Sequence, residues 1–188
     1  MGRQLKIVVF FMVLLLAAAN ADAAGKKGTL ELVGVPEDAS PGRYHTESGL
    51  FFVDVTSFTD AWIKILFEDM EITGKKLEWH TKDNYFIFTE GARLEKDDFK
   101  LTSSVLEYFG EEEKLIAQGD VEVVTEDATV RSQHLVYEEE TDEALFTVAV
   151  AVTFEEGTLK GEKFLMDRDA NELVFFGVFQ GEFETDSK

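Results

Sequence analysis

The chain has 188 residues, 38 of them acidic against 18 basic, no cysteine, and a formal net charge of −20. That length suits one domain with a sizeable core, or one long stack of repeats. The acidity speaks against binding to nucleic acid or to an anionic membrane, since affinity for phosphates comes from Lys and Arg. The missing cysteines exclude disulfides and a lipid-modified cysteine anchor.

At the N-terminus, Arg3 and Lys6 precede the apolar run Ile7–Ala19, which ends in the small-x-small triplet Ala19-Asn20-Ala21. This pattern predicts a secretory signal over residues 1–21, with Ala21-Asp22-Ala23 as a second cleavage choice. A retained anchor is the alternative, although spanning a bilayer takes about 20 apolar residues. Residues 22–60 are read as an N-terminal segment with the first strands. Alternation begins clearly at Ile63-Lys-Ile65-Leu-Phe67, so a repeat domain is expected over residues 61–183, followed by a polar tail at 184–188.

Within that domain four stretches align without a gap at a period of 29 residues. They are Ile72–Trp79, Leu101–Tyr108, Val130–Tyr137 and Leu159–Met166. A fixed period means one supersecondary unit stacked on copies of itself. The apolar columns Ile72/Leu101/Val130/Leu159, Leu77/Leu106/Leu135/Phe164 and Trp79/Tyr108/Tyr137/Met166 are followed by polar turns at 80–84, 109–113, 138–143 and 167–172. Two further apolar columns follow, Phe86/Leu115/Ala144/Leu173 and Phe88/Ala117/Phe146/Phe175. Spacing of two is the strand period, so each unit reads as two strands joined by a hairpin. Two prolines, 17 phenylalanines and no sustained 3.6-residue apolar period make the class all-β.

A small column, Gly74/Ser103/Ser132/Gly161, separates apolar positions of opposite parity. Either a bulge or bend there moves the strand by one residue, or one strand ends and the next begins. A second feature breaks the simple alternation. Ile87, Ile116, Leu145 and Val174 are apolar on the opposite face, which predicts packing at one end of the fold or between neighbouring molecules.

No catalytic constellation emerges. His45, His80 and His134 lie far apart, no serine sits in a Gly-x-Ser-x-Gly elbow, and no glycine-rich phosphate loop is present. The acidic runs Glu111–Glu113, Glu138–Glu140 and Asp142–Glu143 lack calcium-loop spacing and read as solvated hairpin tips. Neither an enzyme, a metal site nor a cofactor is expected. Two readings of the apolar face remain: a closed sandwich that consumes it as core, or a folded-over sheet with a trough for a lipid.

The phrase Ala117-Gln-Gly-Asp-Val-Glu-Val-Val124, followed by Leu135-Val-Tyr137, resembles the OstA-like, LptA-like family of lipopolysaccharide-transport proteins. The likeness covers about Trp62–Phe183. It departs from the family pattern at Val148 and Glu90, which stand in register with Gly119, and at Met166, which replaces a tyrosine. The resemblance implies a repeat-built open β-jellyroll, a folded-over antiparallel sheet of 29-residue two-strand repeats. It also implies a periplasmic location, and lipopolysaccharide or a similar glycolipid held in the apolar interior. Stacking is implied too, strand edge to strand edge, with other β-jellyroll transport proteins or head to tail with itself. By that reading the trough is lined by Ile63, Ile65, Phe67, Leu77, Trp79, Phe86, Phe88, Leu106, Tyr108, Leu115, Val121, Val123, Tyr137, Phe146, Val150, Val152, Phe175 and Phe179. An LptC-like subunit that keeps its N-terminal helix in the inner membrane is the near alternative, and a structural β-repeat module without a lipid the more distant one. The family's outer-membrane barrel is not expected, because 188 residues leave no room for it.

Overall fold

A computed structural model describes residues 28–67, 69–170 and 172–183; the predicted signal at 1–21 and the tail at 184–188 lie outside the described residues. The described residues form thirteen strands in one antiparallel sheet, with no helix among them. The first four are β1 (Gly28–Val33), β2 (Gly42–His45), β3 (Leu50–Asp54) and β4 (Trp62–Phe67). The repeats supply β5 (Met70–His80) with β6 (Tyr85–Lys96), then β7 (Phe99–Ser103) and β8 (Val105–Phe109) with β9 (Lys114–Val124). They continue as β10 (Thr129–Glu138) with β11 (Glu143–Phe154), and β12 (Gly157–Asp167) with β13 (Glu172–Phe183). Each 29-residue unit is therefore a hairpin, as the alternation predicts.

The small column is where the sheet folds over. In β5 the buried positions run Met70, Ile72, Gly74 and then resume at Leu77, a change of parity. The pairing shifts register there, between Gly74 and Lys76 against β6, and likewise between Ser132 and His134 against β9 and between Gly161 and Lys163 against β13. At Ser103 the strand breaks outright into β7 and β8. Both readings of this column are thus realised, a bulge in three units and a strand end in one. Ser103 and Ser132 are buried, and each hydroxyl donates to the carbonyl two residues on, Val105 at 2.9 Å and His134 at 3.2 Å. That bond satisfies a hydroxyl that would otherwise be buried without a partner.

The opposing strands answer with left-handed backbone at the same period. Glu90 (φ 64), Gly119 (φ 74), Val148 (φ 67) and Gly177 (φ 78) are 29 residues apart. In the first three the next residue, Gly91, Asp120 or Ala149, is also left-handed. Two residues on this side oppose one on the small-column side, which is the definition of a bulge. The glycine departures at Glu90 and Val148 thus leave the backbone conformation unchanged. The turns repeat too: Asn84, Glu113 and Asp142 all have φ near 50° (47°, 47° and 50°).

Folding at these bulges divides each long strand between two layers. One half of β5, 70–74, pairs with β4, and the other half, 76–80, pairs with β3. Similarly β6 gives residues 92–96 to β7 and 85–88 to β8. The layers face each other across a single core: the Phe67 ring lies 5.5 Å from Tyr108, and Phe99 stacks on Tyr137 at 5.4 Å. Strands β1, β2 and β3 belong to this same sheet, so residues 28–54 extend both layers. The result is an all-β jellyroll, with β1 at one end and β13 at the other.

The outer column behaves as a cross-strand row. Register places Ile87 beside Glu107, Glu107 beside Ile116, Ile116 beside Val136, Val136 beside Leu145, Leu145 beside Leu165 and Leu165 beside Val174. These aliphatic side chains cover one another on the outside of the second layer, which leaves most of them half-buried.

Candidate functional site

The predicted trough residues come together. Ile63, Ile65 and Phe67 project from β4, Leu77 and Trp79 from β5, Phe86 and Phe88 from β6, and Leu106 and Tyr108 from β8. Leu115, Val121 and Val123 follow from β9, Tyr137 from β10, Phe146, Val150 and Val152 from β11, and Phe175 and Phe179 from β13. All but Trp79, Phe175 and Phe179 are buried in one apolar cluster; Trp79 and Phe175 pack against it, and Phe179 stacks on Phe175. Their side chains fill the space between the layers and meet one another. Phe86 stacks on Tyr108 at 5.1 Å and meets Phe88 edge-on at 5.9 Å, and Trp79 meets Phe86 edge-on at 6.4 Å. The Trp79 indole N–H is buried and finds no acceptor among the described residues.

The two ends of this interior differ. At the β4 end, the loop 55–61 closes over the bulge of β5. The Lys75 ammonium donates to the carbonyls of Phe58 at 3.3 Å, Thr59 at 3.0 Å and Ala61, and Val55 and Ala61 are fully buried beneath it. At the β13 end none of the described residues covers the core. Phe164, Phe175 and Phe179 form a ladder with centroids 4.8 and 5.1 Å apart, leading from a fully buried ring to one that is 49 % exposed. Val174, Phe176, Val178 and Phe183 are exposed on the same strand, and among the described residues β13 pairs only with β12, so no other described strand pairs with its outer backbone edge.

On the long side of the fold opposite the bulges, no strand pairing among the described residues joins the layers, and their hairpin tips meet. There one cation joins them. Arg168, after β12 in the second layer, donates through Nη2 to Asp98 in the β6–β7 turn of the first layer at 2.7 Å. Its Nη1 donates to Asp142 at 3.1 Å, and the Tyr137 hydroxyl donates to the same Asp142 oxygen at 2.7 Å. The guanidinium lies 5.2 Å from the centre of the Phe99 ring, which in turn stacks on Tyr137. Burial opposes the charge on Arg168, but Asp142 and Asp98 outweigh it and the net shift of its pKa is upward. Burial, reinforced by the bond to Asp142, pushes the Tyr137 phenol up as well. Sequence reasoning missed this cluster. Its only local sign is a lone arginine inside the acidic turn 167–172.

The polar surface shows no chemistry-bearing assembly of comparable definition. Two depressions of about 300 and 530 Å³ lie outside the core, one around Trp62, Glu71 and Arg93 and the other around Arg43, Phe52 and Asp54. Neither includes a predicted trough residue. His45 is exposed, His80 meets Glu78 at 2.8 Å, and His134 Nδ1 lies 3.2 Å from the Thr147 hydroxyl. Among the described residues no three His, Cys, Asp or Glu side chains gather as metal ligands.

No family model matches the sequence, and neither does any curated protein. Among solved structures the fold is similar to that of LptH, the LptA-homologous periplasmic component of the conserved lipopolysaccharide transport device of Pseudomonas aeruginosa. The two share 11 % identity at a TM-score of 0.55, over 67 % of this chain and 94 % of that one. At that identity the likeness is one of fold, and it places this chain in the LptA-like β-jellyroll architecture.

Proposed function

We propose that this chain is a periplasmic lipid-binding protein that carries or bridges lipopolysaccharide, or a similar glycolipid, between the inner and outer membranes. The acyl chains lie between the two layers, along the columns that now pack on one another. The observation that carries this reading is the unbroken apolar interior, which runs from β4 through every repeat and emerges as exposed aromatic rings on β13. Each buried methylene contributes about 0.8 kcal/mol, so an acyl chain of about ten methylenes kept from water gains on the order of 8 kcal/mol. Transfer of this kind needs an apolar path and no bond chemistry.

The outer β13 edge, which no other described strand joins, supports head-to-tail stacking, either with a second copy or with another β-jellyroll of the same pathway, so that one interior continues into the next. An acidic outer surface suits a carrier that releases from anionic membranes. If the N-terminal segment is retained rather than cleaved, the chain would act as an anchored LptC-like subunit, and sequencing the mature N-terminus decides between the two.

The close packing of the same columns favours a second reading, a β-repeat module with no lipid in its core. A photo-crosslinking residue at Phe88 or Phe146 separates them. Glycolipid adducts in living cells are the expected result. A correctly folded protein that yields no adduct at any trough position would leave the structural module as the answer.

A further inference from the structure

We propose that Arg168 is a latch across the mouth of the jellyroll, holding closed the tips between which a lipid enters; this rests on the lipid-binding reading above. The two layers are continuous on the bulge side, where every long strand passes from one to the other. They can therefore part only at the opposite side, where the tips carry the turns 97–98 of the first layer and 139–142 and 168–170 of the second. At that side Arg168 makes the only ion pair among the described residues that joins turns of different layers: its partner Asp98 is 70 residues away in sequence, and its other partner Asp142 sits in its own layer. Lys96 pairs with Asp69 at 3.5 Å, but within one layer.

The cation is well placed for this work. Its side chain is 16 % exposed and is backed by the Phe99 ring, while Asp98 is 52 % exposed. One partner is thus anchored in packed structure and the other is free to leave. The anchored half stays intact when the latch opens, because Asp142 remains bonded to Tyr137 and Arg168 to Asp142. Opening breaks one ion pair and the contact of the guanidinium with the Phe99 ring, then parts the stacked rings of Phe99 and Tyr137, which face each other from opposite layers directly behind it. A fatty-acyl chain sliding between those two rings would exchange one apolar contact for another.

The test uses Asp98→Asn, which removes the charge from the interlayer pair and leaves at most a neutral hydrogen bond there, with Arg168 still paired with Asp142. Asp69→Asn is its control, since Asp69 is also 52 % exposed and loses the same charge within one layer. The chain has no native cysteine, so Asp97→Cys and Thr141→Cys, both at exposed positions, take spin labels on the two tips. The distance between the labels is read by pulsed electron resonance, and uptake of cis-parinaric acid by stopped-flow fluorescence. Asp98→Asn is expected to broaden the distances toward longer values and to raise the uptake rate about fivefold, the factor that loss of a partly exposed ion pair allows. Asp69→Asn is expected to change neither. Unchanged distances and rates in Asp98→Asn, or equal changes in both variants, would overturn the latch. Tips that loosen in a protein that takes up no probe, wild type included, would support the latch as a structural closure and sink the lipid reading instead.

Discussion

Val148 is a valine held in a conformation that valine resists, and replacing it with glycine should stabilise the protein. Its φ is 67°, it is followed by Ala149 at 55°, and it occupies the bulge column that carries glycine at 119 and 177. A left-handed backbone costs an L-residue about 1–2 kcal/mol, with β-branched side chains at the upper end. Glycine removes that strain but adds about 0.5–1 kcal/mol of chain entropy to the unfolded state. Val148 is 53 % exposed, so little apolar burial is lost with its side chain. The net expectation for Val148→Gly is a gain of about 0.5–1 kcal/mol, or a rise in Tm of about 1–4 °C for a domain of this size. The reciprocal change at the equivalent position, Gly119→Val, should cost about 1–2 kcal/mol. It imposes the same strain, and a Cβ there would sit 3.0 Å from both the Cβ and the hydroxyl of Ser104. Thermal and urea denaturation of both variants, with unchanged m-values, provide the measurement. A destabilised Val148→Gly together with a neutral Gly119→Val would refute the argument that backbone strain, and not side-chain contact, governs this column.

Two further predictions follow from the same geometry. In the small column, a Cβ on Gly74 would lie 2.5 Å from Cδ1 of the fully buried Phe88 and 3.0 Å from the Gly91 carbonyl, so Gly74→Ala should cost about 1–3 kcal/mol in urea denaturation. Gly161→Ala should be milder, because its contacts are longer than the 2.5 Å at Gly74: the tip of Phe164 at 3.0 Å, and the Phe179 Cβ and Val178 carbonyl of β13 at 3.3 Å each. Tyr85 donates to Glu107 at 2.9 Å, and burial first, then that carboxylate, pushes its phenol from 10.0 up to about 12. The folded state therefore holds this proton more tightly than the unfolded chain does. The resulting stability is fully present below pH 10 and is lost as the pH rises toward 12. Ultraviolet titration should show a late-ionising tyrosine that Glu107→Gln brings back toward its ordinary range; no change in that variant would mean the carboxylate plays no part.

The likeness to LptH gives the architecture a precedent, but the arguments about this interior rest on its own residues. Those residues show a core closed by the Lys75-held loop 55–61 at one end, covered by none of the described residues at β13, and tied across its tips by Arg168. Such an arrangement is directional. Any continuation of the apolar path is easier from the β13 end, where Phe179 already stands half in solvent.

What could be read from the sequence was whatever repeats or alternates along a short stretch of chain. The 29-residue period, the hairpin in each unit and the parity change at Gly74, Ser103, Ser132 and Gly161 are all local, because side-chain direction in a strand has a period of two and each unit solves the same folding problem. The tertiary structure decided everything that depends on how distant tips approach. That β1 would pair with β4 while β3 pairs with β5 depends on where β5 bends. Which rings meet, Phe67 with Tyr108 and Phe99 with Tyr137, depends on the offset between the two layers. The left-handed backbone at Glu90 and Val148 has no glycine to announce it; the pairing of neighbouring strands imposes it. Arg168 reads in the sequence as one cation in an acidic turn, and only closure of the sheet brings Asp98, 70 residues away, within hydrogen-bonding distance. Periodicity is a property of neighbouring residues and is written in their order, whereas a contact across the mouth belongs to the folded sheet as a whole.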